Sequence, residues 1–169
     1  MQEDLVDDIL DQWSDERPEL DTAALGIVIR IMSLNRSFSR QAAKALEPAG
    51  MELWEYDVLS ALRRQGKPFA LPATRLARET ELSTGAMTNR IDRLEERGFV
   101  LRNADKDDRR SVIIRLTAAG RREIDNAIGL RLEAARDSVK SLTVKQRRAL
   151  SELLRLVVVD ALDDRDRSA

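Results

Sequence analysis

The chain has 169 residues, 43% hydrophobic and 35% charged, with 29 Lys or Arg against 30 Asp or Glu; this is ordinary globular composition for one domain with a real core. It holds no cysteine and no histidine, which excludes disulfides and thiol redox sensing and removes the commonest general base and metal ligand. No apolar run approaches the roughly 20 residues needed to span a bilayer, and the acidic start resembles no signal peptide, so a cytoplasmic protein is expected.

The first periodic stretch runs from Asp4 to Ser14, where Leu5, Ile9 and Trp13 recur at i, i+4 spacing and predict an amphipathic helix before Arg17-Pro18-Glu19-Leu20-Asp21. Ala24, Val28, Ile31, Met32, Phe38, Ala42 and Leu46 then mark a long helix that Pro48 and Gly50 end, and Leu53 to Leu62 a further one. Pro72 suits a first helical position, because the N–H it lacks would be orphaned there, and predicts a short helix from Pro72 to Thr80. Glu81 and Leu82 make a turn. Ser83 is a favoured N-cap for the next helix, in which Met87, Ile91 and Leu94 form an inner face while Gly85, Asn89 and Asp92 fall on the far side. Gly98 ends that helix in a left-handed conformation, and Phe99 to Arg102 and Ser111 to Leu116 read as two strands around the polar loop Asn103 to Arg110.

That order is a helix-turn-helix followed by a β-wing, which points to DNA. The charge distribution agrees: residues 63–122 hold 15 basic and 8 acidic side chains, a local surplus of +7 inside a chain of net charge −1. Beyond the wing, Thr117 caps a helix running to about Lys140, and Thr143 with Gln146 forms a capping box for the last helix. In that helix Leu150, Leu153, Leu154, Leu156, Val157, Val158, Ala161 and Leu162 are apolar on more than one face, more than one small domain covers. The fold class expected is mainly α with a small β-wing. The organisation expected is an N-terminal extension helix over 1–21 and a single domain over 22–169. Within that domain a winged unit over about 52–117 lies between dimerisation helices over about 22–47 and 118–165. A helical core within one chain is the alternative to the homodimer.

The run Asp105-Lys-Asp-Asp108-Arg109-Arg110, then Leu116-Thr117 and Gly120, resembles the wing signature of the MarR (multiple antibiotic resistance regulator) family, as does the order of helices around one winged element. Lys106 departs from it, since the family usually has proline there. The resemblance implies a homodimeric transcription factor, mostly a repressor, that binds a pseudo-palindromic double-stranded DNA operator and releases it on binding a small aromatic or anionic effector, with no cofactor. Thr84, Gly85, Thr88, Asn89 and Arg93 lie toward the start or outer side of the second helix of the motif, where a major-groove reader presents side chains. Asn89 is the candidate for base readout, as its amide can bond adenine bidentately. The resemblance makes Arg110 the wing arginine that enters the minor groove and Asp108 the residue that orients it. The bland reading of that pair is a surface ion pair worth little.

The extension with Trp13, followed by Glu55-Tyr-Asp57-Val-Leu-Ser-Ala-Leu-Arg63-Arg64 and Ser83-Thr-Gly-Ala-Met-Thr-Asn-Arg90, is similar to the urate-responsive branch of the family. That similarity implies a ligand set of Trp13, Asp57, Arg64 or its neighbour Arg63, and Arg90. An indole face can stack on a flat anion and a guanidinium can pair with its charge, so a urate-like effector is favoured, with citrate-like and phenolic anions as alternatives. Trp13 as a simple staple for its helix is the bland alternative. A different function class, a winged-helix protein-interaction or dimerisation module without ligand response, fits the same elements. An enzyme does not: there is no P-loop and no nucleophile elbow. Single-stranded RNA readers carry stacking aromatics, and Phe99 is the one aromatic of the wing.

Overall fold

The structure, a computed structural model, describes residues 3–105 and 111–168, the last seven of them by backbone alone. Helix α1 (Leu5–Glu16) opens on a capping box: the Asp4 carboxylate accepts the N–H groups of Val6 and Asp7, and the Asp7 carboxylate accepts that of Asp4. Its inner face lies on α2 (Ala23–Leu46), where Val6 is buried and Leu10 sits so close to Gly26 that a Cβ there would come within 2.8 Å of it. Arg30 of α2 completes the contact by pairing with both Asp4 and Asp7.

A single 3-10 turn, Glu47–Ala49, and left-handed Gly50 end α2, and α3 (Leu53–Arg64) follows behind a second capping box made by Glu52 and Glu55. Next comes a short strand that the periodicity does not announce, β1 (Ala70–Pro72). Pro72, expected as a first helical residue, instead closes β1 and precedes α4 (Ala73–Glu79) with φ −57° and ψ 139°. Its fixed φ serves either role, and pairing of Leu71 with Ile114 and Pro72 with Ile113 decides for the strand. The turn after α4 is closed by the Leu82 N–H donating to the Ala77 carbonyl at 2.9 Å, with Glu81 held at φ 53°.

Ser83 then caps α5 (Thr84–Glu96), its Oγ accepting the Ala86 N–H at 3.3 Å. At the other end Gly98 (φ 70°) allows two closing bonds, Phe99 N–H to the Leu94 carbonyl at 2.9 Å and Gly98 N–H to that of Glu95 at 2.8 Å. The strands that follow are β2 (Val100–Ala104) and β3 (Val112–Leu116), paired antiparallel with Val100 opposite Leu116 and Ala104 opposite Val112. The sheet therefore has three strands in the order β1-β3-β2 rather than two, and β2 extends into what reads as loop in sequence. Residues 106–110, which include Asp108 and Arg110, lie outside the described residues.

Thr117 ties the sheet to α6 (Ala118–Ser138): its Oγ1 donates to the Gly98 carbonyl at 2.7 Å and accepts the Gly120 N–H at 2.9 Å. Gly120 is required by that closeness, because a Cβ there would stand 2.1 Å from the Phe99 carbonyl oxygen. The last helix, α7 (Val144–Ser168), starts at the expected box, with Thr143 N–H on Gln146 Oε1 at 2.8 Å and Gln146 N–H on Thr143 Oγ1 at 3.3 Å.

One core joins the elements from the end of α2 to α6. Leu46, Val58, Leu59 and Leu62 meet Leu71, Leu76, Met87, Ile91, Leu94, Val100, Ile114, Ile124 and Ala127, all buried. Outside it, Leu25, Ile27, Val28, Ile31 and Met32 of α2 and Leu150, Leu153, Leu154, Leu156, Val157 and Val158 of α7 are exposed in the single chain.

Candidate nucleic-acid interface and an arginine-lined cleft

Helix α5 buries Met87, Ile91 and Leu94, so the 3.6-residue period turns Thr84, Gly85, Thr88 and Asn89 outward, and all four are exposed. Thr88 Oγ1 donates to the Thr84 carbonyl at 3.0 Å, and the Asn89 amide bonds to no side chain or backbone group among the described residues. The sequence placed these residues correctly on one face.

Arg93 is placed differently from a free reader. Its guanidinium stacks 4.8 Å over the Trp54 ring and pairs with Glu52 at 3.1 Å, while the Trp54 indole N–H donates to the same carboxylate at 2.6 Å. Arg90, half-buried, lies 5.3 Å from that ring. One turn on, Arg97 reaches buried Glu55 at 2.6 Å and the Phe99 ring at 4.5 Å. Three arginines at helical spacing thus strap one flank of α5 to the start of α3. The other flank, Asp92 and Glu95, meets Arg102 of β2.

Between α3 and α6 lies an open cleft of about 630 Å³ lined by Tyr56, Asp57, Ser60, Arg63, Arg64, Ile128, Arg131, Leu132 and Ala135. Asp57 and Arg64 also border a smaller recess of about 310 Å³ with Glu79, Thr80 and Glu81. Asp57 is exposed on one side, yet loss of water around its carboxyl raises its pKa above the ordinary value, against the opposing pull of Arg131, Arg90 and Arg64. Burial likewise pushes the Tyr56 hydroxyl up.

The two neighbouring arginines separate here. Arg63 is committed to Asp125 at 2.6 Å and to the Phe69 ring at 5.0 Å. Among the described residues Arg64 makes only long contacts, 3.4 Å to Ser60 Oγ and 3.6 Å to Glu79. Of the expected ligand set, Asp57, Arg64 and Arg63 line the cleft, and Arg90 acts on Asp57 through its charge. Trp13 is not brought to them; it lies in a groove of α1 with Ile9, Gln12 and Glu16. Arg131 and Tyr56 were missed in sequence. A signal for Arg131 existed: it sits seven residues after buried Ile124 on the stripe that faces the core, a charged residue in an apolar position. Among the described residues no three His, Cys, Asp or Glu converge as metal ligands, and no helix is long and apolar enough to cross a membrane.

A helix-turn-helix backed by a three-stranded antiparallel sheet and flanked by long helices defines a winged helix-turn-helix protein. A model of the MarR family matches residues 49–111. The HTH-type transcriptional regulator PecS of Dickeya dadantii (strain 3937) is 30% identical over 149 residues, 88% of this chain and 90% of that protein. AbsC, a MarR family transcriptional regulator from Streptomyces coelicolor, superposes with a TM-score of 0.78 at 21% identity, over 85% of this chain and 97% of that one. Sco3205, a MarR family transcriptional regulator from the same organism in complex with DNA, superposes at 0.73 with 26% identity over 84% and 90% of the two chains. This chain belongs to the MarR family, whose members are transcriptional regulators and not enzymes.

Proposed function

We propose that a homodimer of this chain binds a pseudo-palindromic duplex operator in the cytoplasm and acts as a repressor released by a small planar anion. The observation that carries the DNA reading is the outer face of α5, with Thr84, Gly85, Thr88 and Asn89 exposed in a segment of local charge +7. The DNA complex of Sco3205 supports it. In this reading residues 52–117 form the reading unit and each α5 enters a major groove, with Asp108 and Arg110 at the adjacent minor groove. Arg93 stays on Trp54 and Glu52 until a phosphate competes for it. Helices within 22–47 and 118–165 join the two copies through their exposed apolar faces, and residues 1–21 brace α2.

The ligand reading rests on the cleft. Asp57 faces the positive field of Arg131, Arg90 and Arg64, and its own ionised form is held at a cost by lost hydration. A urate-like anion would take over that field, its flat face against Tyr56 and its charged edge on Arg64. Arg90 lies on α5, so a charge change beside Asp57 acts on the helix that reads DNA. Coupling requires that the anion bind the DNA-free arrangement better than the DNA-bound one. Trp13 supports this reading by resemblance alone.

The experiment is a titration of the protein–operator complex with urate at fixed salt, repeated with Arg64→Ala. Release by urate that needs a much higher concentration in the variant, with operator affinity unchanged, is the expected result. Equal release in both would remove the cleft from the response.

A further inference from the structure

The guanidinium of Arg102, on the hairpin strand β2, is turned onto the flank of α5. Its Nη1 donates to Glu95 Oε2 at 2.5 Å, its backbone N–H to Glu95 Oε1 at 3.1 Å, and its Nη2 to the Asp92 carboxylate and, at 3.4 Å, to the Thr88 carbonyl. All of these acceptors are on α5, the last of them one residue before Asn89. The side chain is 30% exposed, so the pairs are partly shielded from water and salt. A guanidinium fork that holds two carboxylates and a carbonyl of one helix fixes direction as well as distance.

We propose that Arg102 is a positioning residue for DNA recognition: it locks the β2–β3 hairpin to the acidic flank of α5, so that helix and hairpin meet the duplex as one rigid surface. The proposal rests on the DNA-binding reading above. Two physical consequences follow from the geometry. The hairpin joins α5 through the sheet and the closing bonds at Gly98, both at the helix's C-terminal end, and Arg102 adds a tie further along, at Thr88 and Asp92. It also neutralises Asp92 and Glu95, which would otherwise present two negative charges beside a groove lined with phosphate.

The test compares wild type, Arg102→Gln, and the triple variant Arg102→Gln with Asp92→Asn and Glu95→Gln, on operator and scrambled duplexes across a salt series, with thermal unfolding of each. Arg102→Gln is expected to weaken operator binding about tenfold or more and scrambled binding less, so that their ratio falls. In the triple variant the repulsion is gone and the lock is not restored, so scrambled affinity recovers while the ratio stays low. Full recovery of the ratio would reduce Arg102 to charge balance and overturn the proposal. So would a fall of about one in the slope of log affinity against log salt with the ratio unchanged, the mark of a direct phosphate contact. If Arg102→Gln unfolds, Arg102→Lys keeps the charge but cannot fork to both carboxylates, and the same fall in ratio is expected from it. A wild type with no preference for operator rejects the DNA reading itself; a wild-type preference that every Arg102 variant keeps rejects only the positioning role.

Discussion

The winged segment and the long flanking helices treat their apolar side chains in opposite ways. Around α5 the side chains close into a core within one chain: Leu59, Leu62, Leu76, Leu94, Val100 and Ile114 are 0% exposed. In α2 and α7 the same residue types stay in water, Ile27 at 60% and Leu153 at 63%. An apolar surface of that length on two helices is the signature of an interface. In the function proposed above, the difference separates the work of the two regions: the first holds a reading surface in shape, and the second supplies the surface by which a second copy sets the spacing of two such readers.

The sharpest way to break this comparison is to charge the exposed helix. Leu153→Asp with Val157→Asp on α7 is expected to convert the dimer to monomer in sedimentation equilibrium and to lower operator affinity about a hundredfold or more, because two linked half-site contacts become one. A dimer that survives both aspartates would place the interface elsewhere. The matching change in the winged region acts on folding instead. Leu94→Ala is expected to cost about 2–5 kcal/mol in urea unfolding, and a loss under about 1 kcal/mol would mean that this core is not tightly packed.

Smaller effects refine the surface. Asn89→Ala is expected to cost about 1–3 kcal/mol on operator with unchanged unfolding, and equal losses on operator and random duplex would reject its base-reading role. The smallest effect concerns Asp57. Its folded pKa is raised above the ordinary 3.8, so the stability linked to its protonated form is fully present below that value and lost as pH rises through the folded one. At neutral pH Asp57→Asn is therefore expected to unfold slightly later than wild type, with the gap closing toward pH 4. A variant that unfolds earlier at neutral pH would show that the charge attraction of Arg131, Arg90 and Arg64 outweighs the lost hydration.

Local chemistry made most of the elements legible. Ser83, Gly98, Thr117 and the Thr143 and Gln146 pair all cap the helices their spacing indicated, since a cap is written within a few residues. β1 was not legible, because three residues ending in proline carry no period and their partners, Ile113 to Arg115, are remote in sequence. The outer face of α5 followed from periodicity, but the partners of its charged residues did not. Glu52, Trp54 and Arg102 reach Arg93, Asp92 and Glu95 only once the fold brings them together, and the same holds for Arg131 beside Asp57.

The most direct measurement is hydroxyl-radical footprinting of the purified chain on DNA from upstream of its own gene, at fixed salt. Two protected patches related by a two-fold axis, their centres about one helical turn or roughly 34 Å apart, are predicted, since each protomer's α5 then reads one half-site. A single patch, or even protection along the whole duplex, would contradict a dimer that carries two winged readers.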